Sequence, residues 1–176
     1  DRAQIACALS DMQQRLDEAD VAAKALVLAD PDIGARSILV VAGEGWHRGV
    51  IGIVASKLVE ALNRPAIVLS IDGDTAHGSC RSIPSFDMLA ALESCADLFT
   101  KFGGHRQAAG VTIEASRIRD LRARINDHAD QCLQPDDLRP RLWIDGALSF
   151  RSITPQVASE LSAMAPFGMG NSCPVF

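Results

Sequence analysis

The residues best suited to chemistry fall in three strings: Trp46-His47-Arg48-Gly49-Val50-Ile51-Gly52, Gly78-Ser79-Cys80-Arg81-Ser82 and Gly103-Gly104-His105-Arg106-Gln107-Ala108-Ala109-Gly110. Each joins a donor or a cation to glycines, which let a bound group approach main-chain N–H donors that side chains otherwise shield. Phosphate suits such a set better than a metal ion. Ser79 and Arg81 stand two apart on an expected strand, hence on one face. There a hydroxyl beside a guanidinium, with its parallel N–H donors, makes a terminal-phosphate receptor. An edge strand with polar side chains turned to solvent explains the same spacing. His47 falls between an expected strand and the helix after it, where unpaired helix N–H groups attract anions; helix capping is the rival account. Trp46 could stack under a base or sugar, although core packing explains it better. Gly103, Gly104, His105 and Arg106 form either an anion cradle or an ordinary glycine turn entering the strand Val111-Thr112-Ile113. His77 and His128 fit no such pattern and are read as structural.

The string GGHRQAAG resembles the GGHxxAAG signature of the DHHA1 domain, the second domain of the DHH phosphoesterase superfamily. With WHRGVIG and GSCRS upstream and Pro166-Phe167-Gly168-Met169-Gly170-Asn171 downstream, the chain is similar to the RecJ family of single-stranded-DNA-specific exonucleases over roughly residues 36–176. The ordered combination is far more specific than any one string. The resemblance implies that Ser79 and Arg81 hold the 5′ phosphate of single-stranded DNA. It implies phosphate contacts from His47, Gly103, Gly104 and His105, with Trp46 and Arg106 as weaker candidates; Cys80 falls on a variable position. It further implies 5′→3′ digestion, a DHH domain of the same parent chain carrying Mn²⁺ or Mg²⁺, and a place in DNA repair and recombination.

Two-metal phosphodiester hydrolysis needs several Asp and His ligands holding cations about 3.5–4 Å apart. No Asp-His-His string occurs; the nearest, Asp127-His128-Ala129, falls inside an expected amphipathic helix. The expectation is a segment that holds substrate without cutting it, with no catalytic residue or metal ligand of its own. A net charge of −5 opposes a generic polyanion-binding surface, since non-specific affinity comes from many Lys and Arg contacts. DNA binding then requires basic groups gathered at one groove, or affinity supplied by other parts of a longer protein. The five cysteines form no C-x-x-C pair, which points to neither zinc nor disulfides. The apolar runs are too short for a membrane span and no signal peptide opens the sequence, so cytoplasmic residence and no membrane partner are expected. A start at Asp1 and an end in an apolar stretch point to a fragment.

The elements expected to carry these strings are those of an α/β fold: a DHHA1-type mixed sheet with a parallel βαβ core flanked by helices, preceded by a long linker helix. Residues 1–29 place Ile5, Leu9, Met12, Leu16, Ala19, Ala23 and Leu26 on one helical stripe, and residues 30–34 break it. Strands at 37–42 and 65–71 enclose a helix at 49–62, a right-handed parallel unit. Asp72-Gly73-Asp74 turns the chain into an antiparallel strand at 75–80. Ser85 is placed to cap a helix over 86–96. Ser116 caps another bearing Ile118, Leu121, Ile125, Ala129 and Cys132 inward, with Arg117, Arg119, Arg122 and Arg124 solvated. The domains expected are 1–35 (connecting helix), 36–134 (DHHA1) and 135–176 (linker and incomplete start of an OB-type domain). In the last, Leu142, Ile144, Leu148 and Phe150 read as a half-buried strand, Thr154-Pro155 starts a helix to about Ala165, and Cys173-Pro174-Val175-Phe176 begins a strand. Rival functions are a DHH/DHHA1 phosphodiesterase for oligoribonucleotides or cyclic dinucleotides, a non-catalytic RNA-binding DHHA1 module, and a structural domain whose glycines are only turns.

Overall fold

A computed structural model describes residues 2–29, 36–168 and 170–176; the expected break at residues 30–34 lies outside them, as does Met169. The chain divides into two compact units, Asp1–Pro140 and Arg141–Phe176. In the first, α1 (Arg2–Ala29) precedes β1 (Leu39–Glu44), α2 (Ile51–Leu62), β2 (Ala66–Asp72) and β3 (Thr75–Arg81). There follow α3 (Met88–Glu93), β4 (Phe99–His105), β5 (Ala108–Glu114) and α4 (Ile118–Cys132). The strands form one sheet in the order β1-β2-β3-β5-β4. β1 and β2 are parallel, and the remaining pairs are antiparallel. This is the mixed α/β sheet with a parallel βαβ core read from the sequence.

Local chemistry sets the turns. α2 ends at Asn63, left-handed at φ 49°, whose N–H returns to Val59 O, and Pro65 prevents continuation. Gly73, at φ 59°, closes the β2–β3 hairpin. One face of the sheet packs Leu69, Cys80, Val111 and Ile113 against α3 and α4 through Leu92, Leu121 and Ile125. The other packs Leu39, Val41 and Val68 against Val54 and Leu58 of α2 and Ala19 and Ala23 of α1. Gly78 belongs to the first face: a Cβ there would lie 2.5 Å from Val111 Cγ2 and 2.6 Å from Leu69 Cδ2.

α4 also seals the outer edge of β1. Arg122 Nε donates to Val40 O at 3.0 Å, Asn126 Oδ1 accepts from Ile38 N at 3.1 Å, and Ser37 Oγ donates to Asp130 Oδ1 at 2.5 Å. Two more of the arginines expected to be solvated are engaged. Arg117 donates to Asp97 O, and Arg124 grips the Asp97 carboxylate at 2.7 Å. That hydrogen bond holds the Asp97 carboxyl below the usual carboxylate range.

Several boundaries differ from expectation. On α1 the buried apolar residues are Ala19, Ala23 and Val27, with Leu16 half-buried; Leu9, Met12 and Leu26 are exposed, and the side chain of Ile5 is outside the described set. The stripe turns inward only where α2 and β1 lie beneath it, and two alanines permit that close approach. α3 is shorter than expected and is capped by Asp87, which accepts from Ala90 N at 3.1 Å, instead of Ser85. Burial of Ile83 and Phe86 fixes the intervening turn, and Met88 N donates to Arg106 O. Ser116 sits in a 3-10 turn, Arg117 occupies the N-cap of α4 without a side-chain cap, and Leu133 is buried where Cys132 is exposed. Residues 134–140 form a pinned turn: Asp137 accepts from Gln134 N through its carboxylate and from Asn63 Nδ2 through its carbonyl.

In the second unit Thr154 caps α5 (Pro155–Ser162), accepting from Val157 N at 3.3 Å; the helix stops short of Ala165. Neither expected strand forms. Leu142, Ile144 and Phe150 are exposed, residues 150–152 make a single 3-10 turn, and 173–176 have no ladder. A strand needs a neighbour to satisfy its main chain. Here the two stretches meet through Asp145 N to Val175 O and Val175 N to Asp145 Oδ2. The described residues of the 166–171 string belong to no helix or strand, as read; Gly168 and Asn171 form a bridge, and Asn171 Nδ2 donates to Met164 O and Pro166 O.

Candidate phosphate-binding site

The antiparallel register sets Ser79 opposite Gly110, and Gly110 opposite Gly103; Arg81 faces Ala108, which faces His105. Residues directly opposed across such ladders point to the same side, so Ser79, Arg81 and His105 share one face around a glycine floor. Cys80, between the first two, points the other way and is fully buried; burial pushes its thiol up to about 12. Arg81 Nη1 donates to Ser79 Oγ at 3.1 Å and to Cys80 O at 2.8 Å. The guanidinium and hydroxyl are therefore held side by side before any ligand arrives. The first turn of α2 roofs them: a Cβ on Gly52 would lie 3.1 Å from both Ser79 Oγ and Arg81 Nη2.

The GGH string is strand, not loop. Gly103, Gly104 and His105 end the edge strand β4, and Arg106 and Gln107 turn the chain into β5. Gly104 has φ 153°, and a Cβ there would sit 2.5 Å from Ala109 Cα, which excludes any other residue. Gly103 is different, because a Cβ there would meet nothing within 4 Å. Its bareness leaves open surface, while that of Gly104 serves the backbone.

His105 is exposed, and its Nδ1 accepts from Gln107 N at 3.2 Å. His47, also exposed, accepts from Gly49 N at 3.0 Å in the same way. In both neutral rings the proton then sits on Nε2, so each presents a donor suited to an anion. The capping role foreseen for His47 is not what forms: Val50 is the N-cap of α2 and has no side-chain cap bond, while the His47 bond closes the turn before the helix and leaves its outer nitrogen for other use. Trp46 packs: it is half-buried against the α2-side core, its ring lies against Gly43, and its carbonyl accepts from Ser70 Oγ at 2.5 Å. Arg106 is a brace, donating to Pro84 O at 3.2 Å.

Not every expected contact comes together. Trp46 and His47 border a hollow with Arg15, Glu44 and Asp72 at the carboxyl ends of β1 and β2. Ser79 and Gly103 line a separate groove of ≈ 500 Å³ with Gly110. Arg48 touches both. That groove also draws on His77 and Lys101, which sequence reasoning set aside or passed over. The signal was there: His77, Ser79 and Arg81 alternate along β3, and Lys101 stands two before Gly103. A more enclosed hollow, lined by Leu26, Val27, Arg36 and Arg122, holds none of the motif residues. Arg48, His77 and Lys101 line this groove, and Arg81 and His105 lie on the same face of the sheet beside it, in a chain whose net charge is −5.

Among the described residues no three His, Cys, Asp or Glu side chains converge to hold a metal ion. The phosphate-site residues, a hydroxyl, guanidinium groups and isolated imidazoles, do not fit a metal centre. No described helix is long and apolar enough to cross a membrane.

A family model described as the DHHA1 domain matches residues 35–131, and one described as the RecJ OB domain matches residues 144–176. The single-stranded-DNA-specific exonuclease RecJ of Bacillus subtilis is 44% identical over 141 residues, 79% of this chain and 18% of that protein. The protein of the same description from Thermus thermophilus is 35% identical over 165 residues, 94% of this chain and 22% of its own length. The crystal structure of RecJ from Thermus thermophilus in complex with Mg²⁺ superposes with a TM-score of 0.77 at 30% identity, covering 96% of this chain and 26% of that one. The same protein in complex with Mn²⁺ gives a TM-score of 0.77. The chain spans about a fifth of the length of the curated relatives it matches. With that sheet, those motifs and a family match over more than half its residues, the chain belongs to the DHHA1 domain family.

Proposed function

We propose that this chain is the phosphate-binding half of a RecJ-type 5′→3′ single-stranded-DNA exonuclease. The observation that carries the reading is the Ser79–Arg81 pair, locked at 3.1 Å under Gly52 beside the open floor of Gly103 and Gly110. Arg81 would present its guanidinium to a terminal 5′ phosphate, and Ser79 would add a hydroxyl donor. His105 and His47 would donate from Nε2 to phosphate oxygens farther along, and Gly103 would keep the floor clear for them. A DHH domain of the same parent protein would supply the metal ions, Mn²⁺ or Mg²⁺, that activate water. DNA repair and recombination in the cytoplasm is the setting this activity fits. The domain division proposed is a connecting helix to residue 35, a DHHA1 domain over 36–134 and the start of an OB-type domain beyond.

The test is fluorescence-anisotropy binding at low salt to oligonucleotides bearing either a 5′ phosphate or a 5′ hydroxyl. A preference for the phosphate that disappears in Arg81→Ala is expected. Equal affinity for both ends would remove the Ser79–Arg81 assignment. Tighter binding of structured RNA than of single-stranded DNA would favour an RNA-binding module instead.

A further inference from the structure

β3 carries a third polar side chain on the face of Ser79 and Arg81. His77 precedes Ser79 by two residues and is paired through Thr112 with Lys101 on β4. Thr112 Oγ1 lies 3.4 Å from His77 Nδ1, which orients the ring. The face therefore has three parallel rows: Arg81-Ala108-His105, Ser79-Gly110-Gly103 and His77-Thr112-Lys101. In the middle row only Ser79 carries a side chain; Gly110 and Gly103 leave the surface beside it bare. Arg48 borders the same groove from the start of α2, where Asp72 holds it at 3.2 Å. Both partners of that ion pair are more than half exposed, at 53% and 76%, and such a pair is readily exchanged for another anion.

We propose that Arg48, His77 and Lys101 form a second phosphate seat, which takes the phosphate adjacent to the one held by Ser79 and Arg81. This rests on the end-phosphate reading above and extends it from one phosphate to two. Two residues along a strand advance about 6.8 Å, comparable with the phosphate-to-phosphate repeat of an extended polynucleotide. The bare floor of Gly110 and Gly103 beside Ser79 lets the sugar-phosphate backbone lie flat on the sheet. A duplex, with its rigid and wider backbone, cannot follow that path, so the second seat adds selectivity for single strands.

The probe is a 5′-phosphorylated thymidine oligonucleotide, compared with one whose first internal linkage is a neutral methylphosphonate and with 5′-hydroxyl versions of both. The 176-residue chain is compared with Lys101→Ala and Arg48→Ala, both at exposed positions. Neutralising the linkage should weaken wild-type binding about tenfold, the scale of a lost charge-assisted contact. Lys101→Ala should weaken binding of the charged probe similarly and be indifferent to the methylphosphonate. The slope of log affinity against log salt should fall by about 0.7 for each contact removed. If the mutation and the neutral linkage simply multiply in both variants, the seat is overturned, even where the 5′-phosphate preference holds. If the coupling persists with 5′-hydroxyl probes that bind as well as phosphorylated ones, the second seat stands and the end-phosphate reading falls. Absence of binding to every probe overturns both.

Discussion

β2 and β5 belong to one sheet and live under different constraints. β2 is buried continuously from Ala66 to Ser70, with α1 and α2 over one face and α3 and α4 over the other. β5 alternates: Ala109, Val111 and Ile113 are buried, while Ala108, Gly110 and Thr112 face outward. The parallel half is thus a three-layer structure and the antiparallel half a two-layer one, as expected of sheets covered on both faces and on one. Every residue of the Ser79–Arg81–His105 face occupies the uncovered part or its margin with α2. The lesson is that the site exists where the helical layer stops.

The sharpest way to test the contrast is to cut into each half. Leu69→Ala, in β2, should cost about 2–5 kcal/mol of stability, the range for a buried leucine truncated in a tight core; Thr112→Ala should cost less than about 0.5 kcal/mol. Urea denaturation reads both, and similar losses would dissolve the distinction. Next, Arg81→Lys should leave the urea midpoint unchanged yet lower the preference for a 5′ phosphate by roughly 1.5–3 kcal/mol, because an ammonium cannot reproduce the guanidinium fork. A variant that keeps the preference would reduce Arg81 to a point charge.

The two glycines of β4 offer a smaller effect within a single dipeptide. Gly104→Ala should destabilise the fold by about 1–3 kcal/mol, from its positive φ and its contact with Ala109. Gly103→Ala should change stability by less than about 0.5 kcal/mol and still weaken oligonucleotide binding. Thermal melts with anisotropy titrations separate the two outcomes. The gentlest effect concerns Cys80. Its folded thiol titrates near 12, above the ordinary thiol value of 9.0, so the folded state retains a proton that the unfolded state loses. Its contribution is complete below pH 9 and is lost as pH rises toward 12. Cys80→Ala should flatten that decline in urea midpoint; an unchanged slope would assign it to other groups.

Much of this was legible in the residues because local rules acted alone. The β-branched runs, the Asp72-Gly73 turn and the 49–62 helical pattern gave the parallel unit, and alternation put Ser79 and Arg81 on one face. The GGH segment misled because glycines advertise a turn, whereas here Gly103 and Gly104 complete an edge strand whose partner, β5, follows after two residues. His77 and Lys101 were passed over because their meeting depends on a register that no single segment specifies. Ser85 lost the cap of α3 to Asp87 because burial of Phe86 decides where the helix can begin. The strand expected at 142–150 failed for want of a neighbour.

The seal on β1 has a consequence for the order of events during synthesis. Ser37, Ile38 and Val40 obtain their edge partners from Asp130, Asn126 and Arg122, which follow them by 93, 88 and 82 residues. Until the ribosome has released α4, the first strand carries a naked edge able to pair with any extended chain nearby. Nascent chains stopped before residue 122 should therefore be the ones that clump, and those extended past residue 130 the ones that stay apart. The helix that finishes the domain also protects its beginning.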